Sequence, residues 1–247
     1  MKIRFWLNPF IIIMGIVLIL MSSCKKTDDN KNSSGNITDQ DGNVYTSVII
    51  GTQTWIDENL KTTKYNNGDI IGTTTPATLD ISNEITPKYQ WAYNGDESSV
   101  ASYGRLYTWY SVTDSRGVCP TGWHVPTDAE WKTLEIDLGM TQAQADGTDW
   151  RGTDQGTELK STTRWQNNGN GTNSSGFNAV GCGSRDLTSD PFHGVSFWGN
   201  YWTTTPTDAT SAWAHSVSYN FSGIYRYNWN KGYGLSVRCI KDKPKGK

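Results

Sequence analysis

Charge is sparse in this chain. Asp, Glu, Lys and Arg make up 19% of the 247 residues, with a net charge of −2. A nucleic-acid binder carries a basic stripe that neutralises phosphates; there is none here, which excludes nucleic acid as a partner. Histidine occurs only at His124, His193 and His215, too scattered for a zinc site defined by ligand spacing. The apolar run Phe10–Met21 is 12 residues long, short of the ~20 a helix needs to cross a bilayer core. Leu and Ala, which dominate helical bundles and large parallel sheets, give way to Gly, Asn, Ser and Thr. Aromatics are plentiful, with 12 Trp and 12 Tyr, and each such ring can bury on the order of 150–250 Å². The composition predicts a loop-rich extracytoplasmic domain built from short strands.

Lys2 and Arg4 precede the apolar run, and Ser22-Ser23-Cys24 follows it. A cationic start, a short apolar stretch and small residues are the three parts of a secretory signal. The last part resembles the lipobox of lipoprotein signals, with Met21 in place of the commoner Leu. The resemblance implies a signal peptide over 1–23 and a lipid on Cys24. Two or more acyl chains would then hold the protein to a membrane, where one does so only marginally. Lys25–Gly35 offers no apolar side chain, which predicts a disordered tether over 24–36. Lys rather than Asp after the cysteine is similar to sorting signals for the outer membrane, and Asp28-Asp29 resembles the acidic patches of surface-displayed lipoproteins. Cleavage would leave 224 residues, and losing two of the 22 basic residues leaves 20 against 24 acidic, a net charge of −4.

Beyond the tether the pattern is of short strands with turns. Val44–Ile50, Gly51-Thr52 and Gln53-Thr54-Trp55 predict a hairpin. Asp39-Gln40-Asp41-Gly42 starts like a calcium loop, but position twelve, where an EF-hand needs a bidentate acid, is Ile50; a plain turn is expected and no metal. Ser102 is expected to cap a helix over Tyr103–Tyr110, with Leu106, Trp109 and Tyr110 on one face. Thr127 and Glu130 form a capping box for a helix that carries Trp131, Leu134 and Leu138 and stops at Gly139. A weaker helix follows Thr141. Val217, Tyr219 and Phe221, a turn at Ser222-Gly223, then Ile224, Tyr225, Tyr227 and Trp229 predict an aromatic hairpin. Leu235–Ile240 reads as the last strand. Cys119, Cys182 and Cys239 remain beyond Cys24; export permits a disulfide, and an odd count leaves one thiol over. Spacing alone does not choose the pair.

Five motifs occur in order: Asp41-Gly42-Asn43-Val44-Tyr45; Gly51–Trp55 with Glu58-Asn59-Leu60; Tyr103-Gly104 with Leu106–Tyr110; Cys119–Trp131; and Gly234–Cys239. In these the chain resembles the Fibrobacter succinogenes major paralogous domain family over 37–242, leaving 243–247 as a tail. The resemblance implies an α+β, C-type-lectin-like architecture, related to that of formylglycine-generating enzymes. Small twisted antiparallel sheets, two to three helices and many loops are expected. It further implies a disulfide between Cys119 and Cys239, with Cys182 a free, buried thiol.

For function, catalysis of the formylglycine-generating type needs two cysteines close in sequence, whereas Cys182 and Cys239 are far apart; no catalytic residue is assigned and no cofactor expected. The calcium-lectin signatures Glu-Pro-Asn and Trp-Asn-Asp are absent. Aromatic rings stack on sugar faces and on apolar protein surfaces, while Asn, Asp and Thr bond hydroxyls. Trp198, Tyr201, Trp202, Tyr225, Tyr227 and Trp229 are therefore the candidate ligand-binding residues. The expectation is a lipid-anchored, non-catalytic binding or adhesion module for glycan or protein. An enzyme of formylglycine-generating descent and a structural component of a surface assembly are the alternatives. Exposed aromatics in one groove would favour binding; adjacent thiols or titratable groups converging on a deep pocket, catalysis; a flat apolar patch, assembly.

Overall fold

The computed structural model describes residues 37–243. The signal peptide, Cys24, the tether and residues 244–247 lie outside the described residues. The strands are β1 (Ile37–Thr38), β2 (Val44–Tyr45), β3 (Ser47–Ile50), β4 (Gln53–Ile56), β5 (Gln90–Trp91), β6 (Leu106–Tyr107) and β7 (Trp123–His124) in the first half. In the second half they are β8 (Asp149–Arg151), β9 (Cys182–Arg185), β10 (Phe192–Val195), β11 (Trp198–Pro206), β12 (Ser211–Ser218), β13 (Ile224–Asn230) and β14 (Ile240–Lys241). The helices are α1 (Val100–Tyr103), α2 (Trp109–Val112), α3 (Asp128–Asp137), α4 (Gln142–Asp146) and α5 (Gln155–Leu159).

The main sheet runs β10-β9-β11-β12-β13-β8, antiparallel except where β9 meets β11. A second sheet runs β3-β4-β14-β7, and β1-β2 and β5-β6 form two-stranded ribbons. Small antiparallel sheets with short helices make this an α+β fold, as expected. Five α-helices occur among the described residues rather than two to three, and only α3 is longer than five residues.

Both capping boxes form. Thr127 accepts from the Glu130 amide while Glu130 reaches back to the Thr127 amide at 2.8 Å, and Thr141 with Gln144 does the same for α4. The helix expected over Tyr103–Tyr110 is broken in two. Gly104 has φ +71°, and a Cβ there would lie 2.5 Å from the Asn59 Cβ, so the chain turns out of α1, passes through β6 and re-enters helix only at Trp109. The aromatic hairpin forms with a wider turn than Ser222-Gly223 alone. Pairing ends at Ser216 opposite Tyr225, because Lys160 Nζ donates to the Ser218 and Phe221 carbonyls and Tyr219–Gly223 loops around it. Of the expected strand Leu235–Ile240, only Ile240 lies in a strand. Residues 235–239 instead cross-brace the fold: Ser236 donates to the Asn200 carbonyl and accepts from the Trp202 amide, and Val237 accepts from the Leu60 amide.

Cys119 and Cys239 are disulfide-bonded with their Cα atoms 5.9 Å apart, and Cys182 is a free, buried thiol. The bond ties the segment before β7 to the brace. Two large apolar cores flank the main sheet. One gathers Tyr107, Cys119, Trp202, Leu235 and Val237; the other gathers Trp55, Trp131, Phe177, Tyr201 and Ile224. In the second, Trp55, Trp131 and Phe177 meet edge to face at 5.3–5.7 Å between centroids, a geometry that adds to what area burial alone contributes.

Candidate functional site

Successive side chains on a strand point to opposite faces, so register decides which aromatics meet. Asn200 lies opposite Ser216, and Ser216 opposite Tyr225. Trp198, Asn200, Trp202, Ser216, Tyr225, Tyr227 and Trp229 therefore share one face, and Tyr201, His215 and Arg226 the other. Residues 234–236 bridge to β9 and β11, and Leu235 and Val237 pack with Trp202, Ala212 and Ala214 on the first face. Beside that core is a groove of about 660 Å³ lined by Phe197, Trp198, Tyr219, Phe221, Tyr225, Trp229 and Tyr233, with Ser184, Asp186, His193, Asn200 and Asn220 among its polar residues.

The rings meet in groups along the groove. Trp150 stacks on Phe221 at 4.1 Å and lies 5.1 Å from Tyr225 and 5.8 Å from Trp198. Tyr225 stacks on Tyr227 at 5.7 Å, and Trp229 meets Tyr233 edge-on at 5.5 Å. Trp198, Tyr225, Tyr227 and Trp229 are thus brought together as candidate ligand contacts, Tyr227 just outside the groove lining. Tyr201 and Trp202 are not part of the surface, being 1% and 0% exposed. Alternation sends Tyr201 into the Trp131 core. Trp202 shares the face of Trp198 but lies under Leu235 and Val237, its indole N–H donating to the Tyr107 carbonyl. Residue-by-residue reading did not assign Trp150, Phe197, Tyr219, Phe221 or Tyr233, because their convergence comes from a loop and a strand partner distant in sequence. The one signal was local: Phe197 and Asn200 share the aromatic-Asn segment with Trp198.

The opposite face holds a second arrangement the sequence did not announce. Asp128 and Glu135 of α3 sit beside Trp131 on the buried side of the helix. His215 lies between them, Nδ1 2.6 Å from Glu135 and Nε2 3.1 Å from Asp128. Arg151 donates to both Glu135 oxygens at 2.8 and 2.7 Å, and Arg226 donates to both Asp128 oxygens at 2.7 and 2.9 Å while lying 3.6 Å over the Trp213 ring. Every member is buried, and none lines the groove. The cluster joins helix to sheet.

Burial alone would raise the Asp128 pKa, but hydrogen bonds from His215 and Arg226 outweigh it and hold the carboxyl well below 3.8. Glu130 is likewise raised by burial and lowered further by His124 and Thr127, to about 2 from 4.5. Both acids bind protons more weakly in the folded state than in the unfolded one. The stability they confer is therefore present above about pH 4.5 and lost as pH falls toward 2. The melting temperature is expected to drop between pH 6 and pH 3; an unchanged value across that interval would contradict the assignment. His124 has the opposite sign. Its bond to Glu130 raises its pKa above 6.5 against the effect of burial, with Asp242 adding to the rise, so its contribution fades as pH climbs past that value.

A smaller cavity of about 460 Å³ lies beside the disulfide, lined by Trp109, Asp114, Trp123 and His124 among others. Among the described residues no helix is long and apolar enough to cross a membrane, and no group of three or more His, Cys, Asp or Glu is placed to hold a metal ion.

Fold and groove together define a small disulfide-tied α+β domain with an aromatic surface open on one sheet face. The chain belongs to the family described as Fibrobacter succinogenes major domain, which matches residues 48–241. No curated protein and no solved structure matches it.

Proposed function

We propose that the protein is a lipoprotein anchored through Cys24 to the outer membrane, and that its C-type-lectin-like domain is a non-catalytic binding or adhesion module holding glycan in the aromatic groove. The observation that carries this reading is the convergence of seven aromatic side chains on one open groove with polar groups among them. Ligand sites combine these features, with apolar walls supplying contact area and a few polar groups fixing orientation. The lectin-like comparison is supported by the small antiparallel sheets, the packed α3 and the disulfide to the C-terminal brace. The anchor is supported by the order of Lys2, Arg4, the apolar run and Ser22-Ser23-Cys24. Cys24→Ala is expected to abolish incorporation of radiolabelled palmitate; undiminished incorporation would remove the anchor.

The catalytic alternative calls for a reactive thiol pair. Cys239 is bonded to Cys119, and burial pushes the Cys182 thiol up in pKa, the reverse of what a nucleophilic cysteine needs. The titratable cluster around His215 is enclosed, away from the groove. The test is an array of glycans and surface proteins probed with the purified full chain. Glycan hits lost on Trp198→Ala support the reading; hits confined to proteins, or retained in that variant, contradict it.

A further inference from the structure

The rings of the groove gather at its two ends. At one end Trp198, Phe221 and Tyr225 surround Trp150, with centroids 4.1–5.8 Å from it. At the other end Trp229 and Tyr233 meet at 5.5 Å. Register measures the interval between them. Tyr225 lies opposite Ser216 and Trp229 opposite Ala212, four residues apart on one strand. A strand rises by ~3.4 Å per residue, so these two rings are rooted about 13 Å apart. Trp198 lies opposite Ser218, farther still from Trp229. Tyr227 stands between the two ends on the same face, stacked on Tyr225 and exposed.

The interval is fixed by the fold. Every residue of β13 from Tyr225 to Asn230 is paired with β12. Each end is also held by a buried lysine. Lys160 Nζ donates to the Ser218 and Phe221 carbonyls at 2.8 and 3.1 Å and so holds the loop that carries Phe221. Lys231 Nζ donates to the Asp208 and Ala209 carbonyls at 2.7 and 3.0 Å and holds the turn between Trp229 and Tyr233. Contacts set in place before binding reduce the cost of ordering them around a ligand.

A pyranose ring lays its apolar face on one aromatic side chain. A single sugar can therefore cover one end of the groove and leaves the other bare, whereas a chain of several sugars covers both. Once one end is engaged, contact at the other becomes an intramolecular step and adds affinity without a second association. Ser184, Asp186 and His193 supply hydrogen-bonding groups along the groove.

We propose that the groove binds the interior of a linear glycan chain, several sugars long, running from Trp198 and Tyr225 to Trp229 and Tyr233. This rests on the groove being a glycan site and specifies the form of glycan it takes, a polymer segment rather than a terminal sugar.

Neither Lys nor Arg is among the lining residues, so uncharged chains are the suitable probes. Isothermal titration of the purified full chain would compare glucose, mannose and galactose with their β-1,4-linked oligomers, from disaccharide to hexasaccharide. In at least one series the affinity is expected to rise at least about tenfold from disaccharide to hexasaccharide, the gain that joining two contacts provides. Trp198→Ala and Trp229→Ala should each weaken hexasaccharide binding by about tenfold or more, toward the disaccharide value. Should Trp229→Ala not fold, Tyr233→Ala tests the same end. A soluble polymer of the same linkage, whose chain ends are rare, should displace the hexasaccharide at equal mass concentration. Monosaccharide binding as tight as that of the hexasaccharide overturns the proposal and leaves the glycan reading standing. So does a polymer that fails to compete, or hexasaccharide binding that responds to Trp198→Ala but to neither Trp229→Ala nor Tyr233→Ala. Binding by no member of any series overturns the glycan reading and this proposal with it.

Discussion

Glu135→Ala is expected to lower the unfolding free energy by about 3–5 kcal/mol, the range for breaking a buried ion pair from one side. Glu135 is fully buried; it receives two hydrogen bonds from Arg151 and contacts His215 Nδ1. Its removal leaves Arg151, also buried, facing His215 and Arg226 without its carboxylate, since Asp128 is already engaged by Arg226. The loss comes from a stranded cation rather than from a missing attraction, so Glu135→Gln, which retains an acceptor, should fall between wild type and alanine. Equilibrium denaturation of the three proteins measures the order. A change below about 1 kcal/mol for Glu135→Ala would mean that the cluster adds nothing to the joint between α3 and the main sheet.

The paired substitution Cys119→Ser with Cys239→Ser is the second large effect. The disulfide closes a loop with a sequence separation of 120 residues. On the chain-entropy model a loop of ~100 residues is worth about 4.7 kcal/mol, and losing a native disulfide typically costs about 2–5 kcal/mol. The bond also holds residues 235–239 against the half of the main sheet that carries Trp202, so loosening it should expose the Tyr107–Leu235 core. Reductant should lower the denaturation midpoint of the wild type toward that of the serine variant and leave the variant unmoved. Equal midpoints for wild type and variant without reductant would contradict this account of the brace.

Local chemistry was legible in the sequence. Thr127 with Glu130 and Thr141 begin helices where their chemistry says they should, and Gly51-Thr52 turns the first hairpin. The family motifs led to the right disulfide. Tyr103–Tyr110 misled because Gly104 ends α1 and the i, i+3, i+4 set then divides at Thr108, with Leu106 in β6 and Trp109 and Tyr110 in α2. Half the candidate site was readable in the same way: Trp198, Tyr225, Tyr227 and Trp229 do share a face. Tyr201 and Trp202 were separated from them by strand parity and by a brace whose path depends on the disulfide. Nothing in the local pattern marked Asp128 and Glu135 as buried, since their partners Arg151, His215 and Arg226 lie 16 to 98 residues away. Such pairings are tertiary facts, set by how α3 lies on the main sheet, and no local pattern carries them.

The most direct test of the central claim is oxidative footprinting of aromatic side chains in the full chain, with and without the strongest glycan from the array. The account predicts protection of Trp198, Phe221 and Tyr225 on ligand addition, with Trp123 beside the disulfide unchanged. Protection centred on Trp123, or none at Trp198 and Tyr225 while the glycan is bound, would show that the aromatic groove is not where this protein holds its ligand.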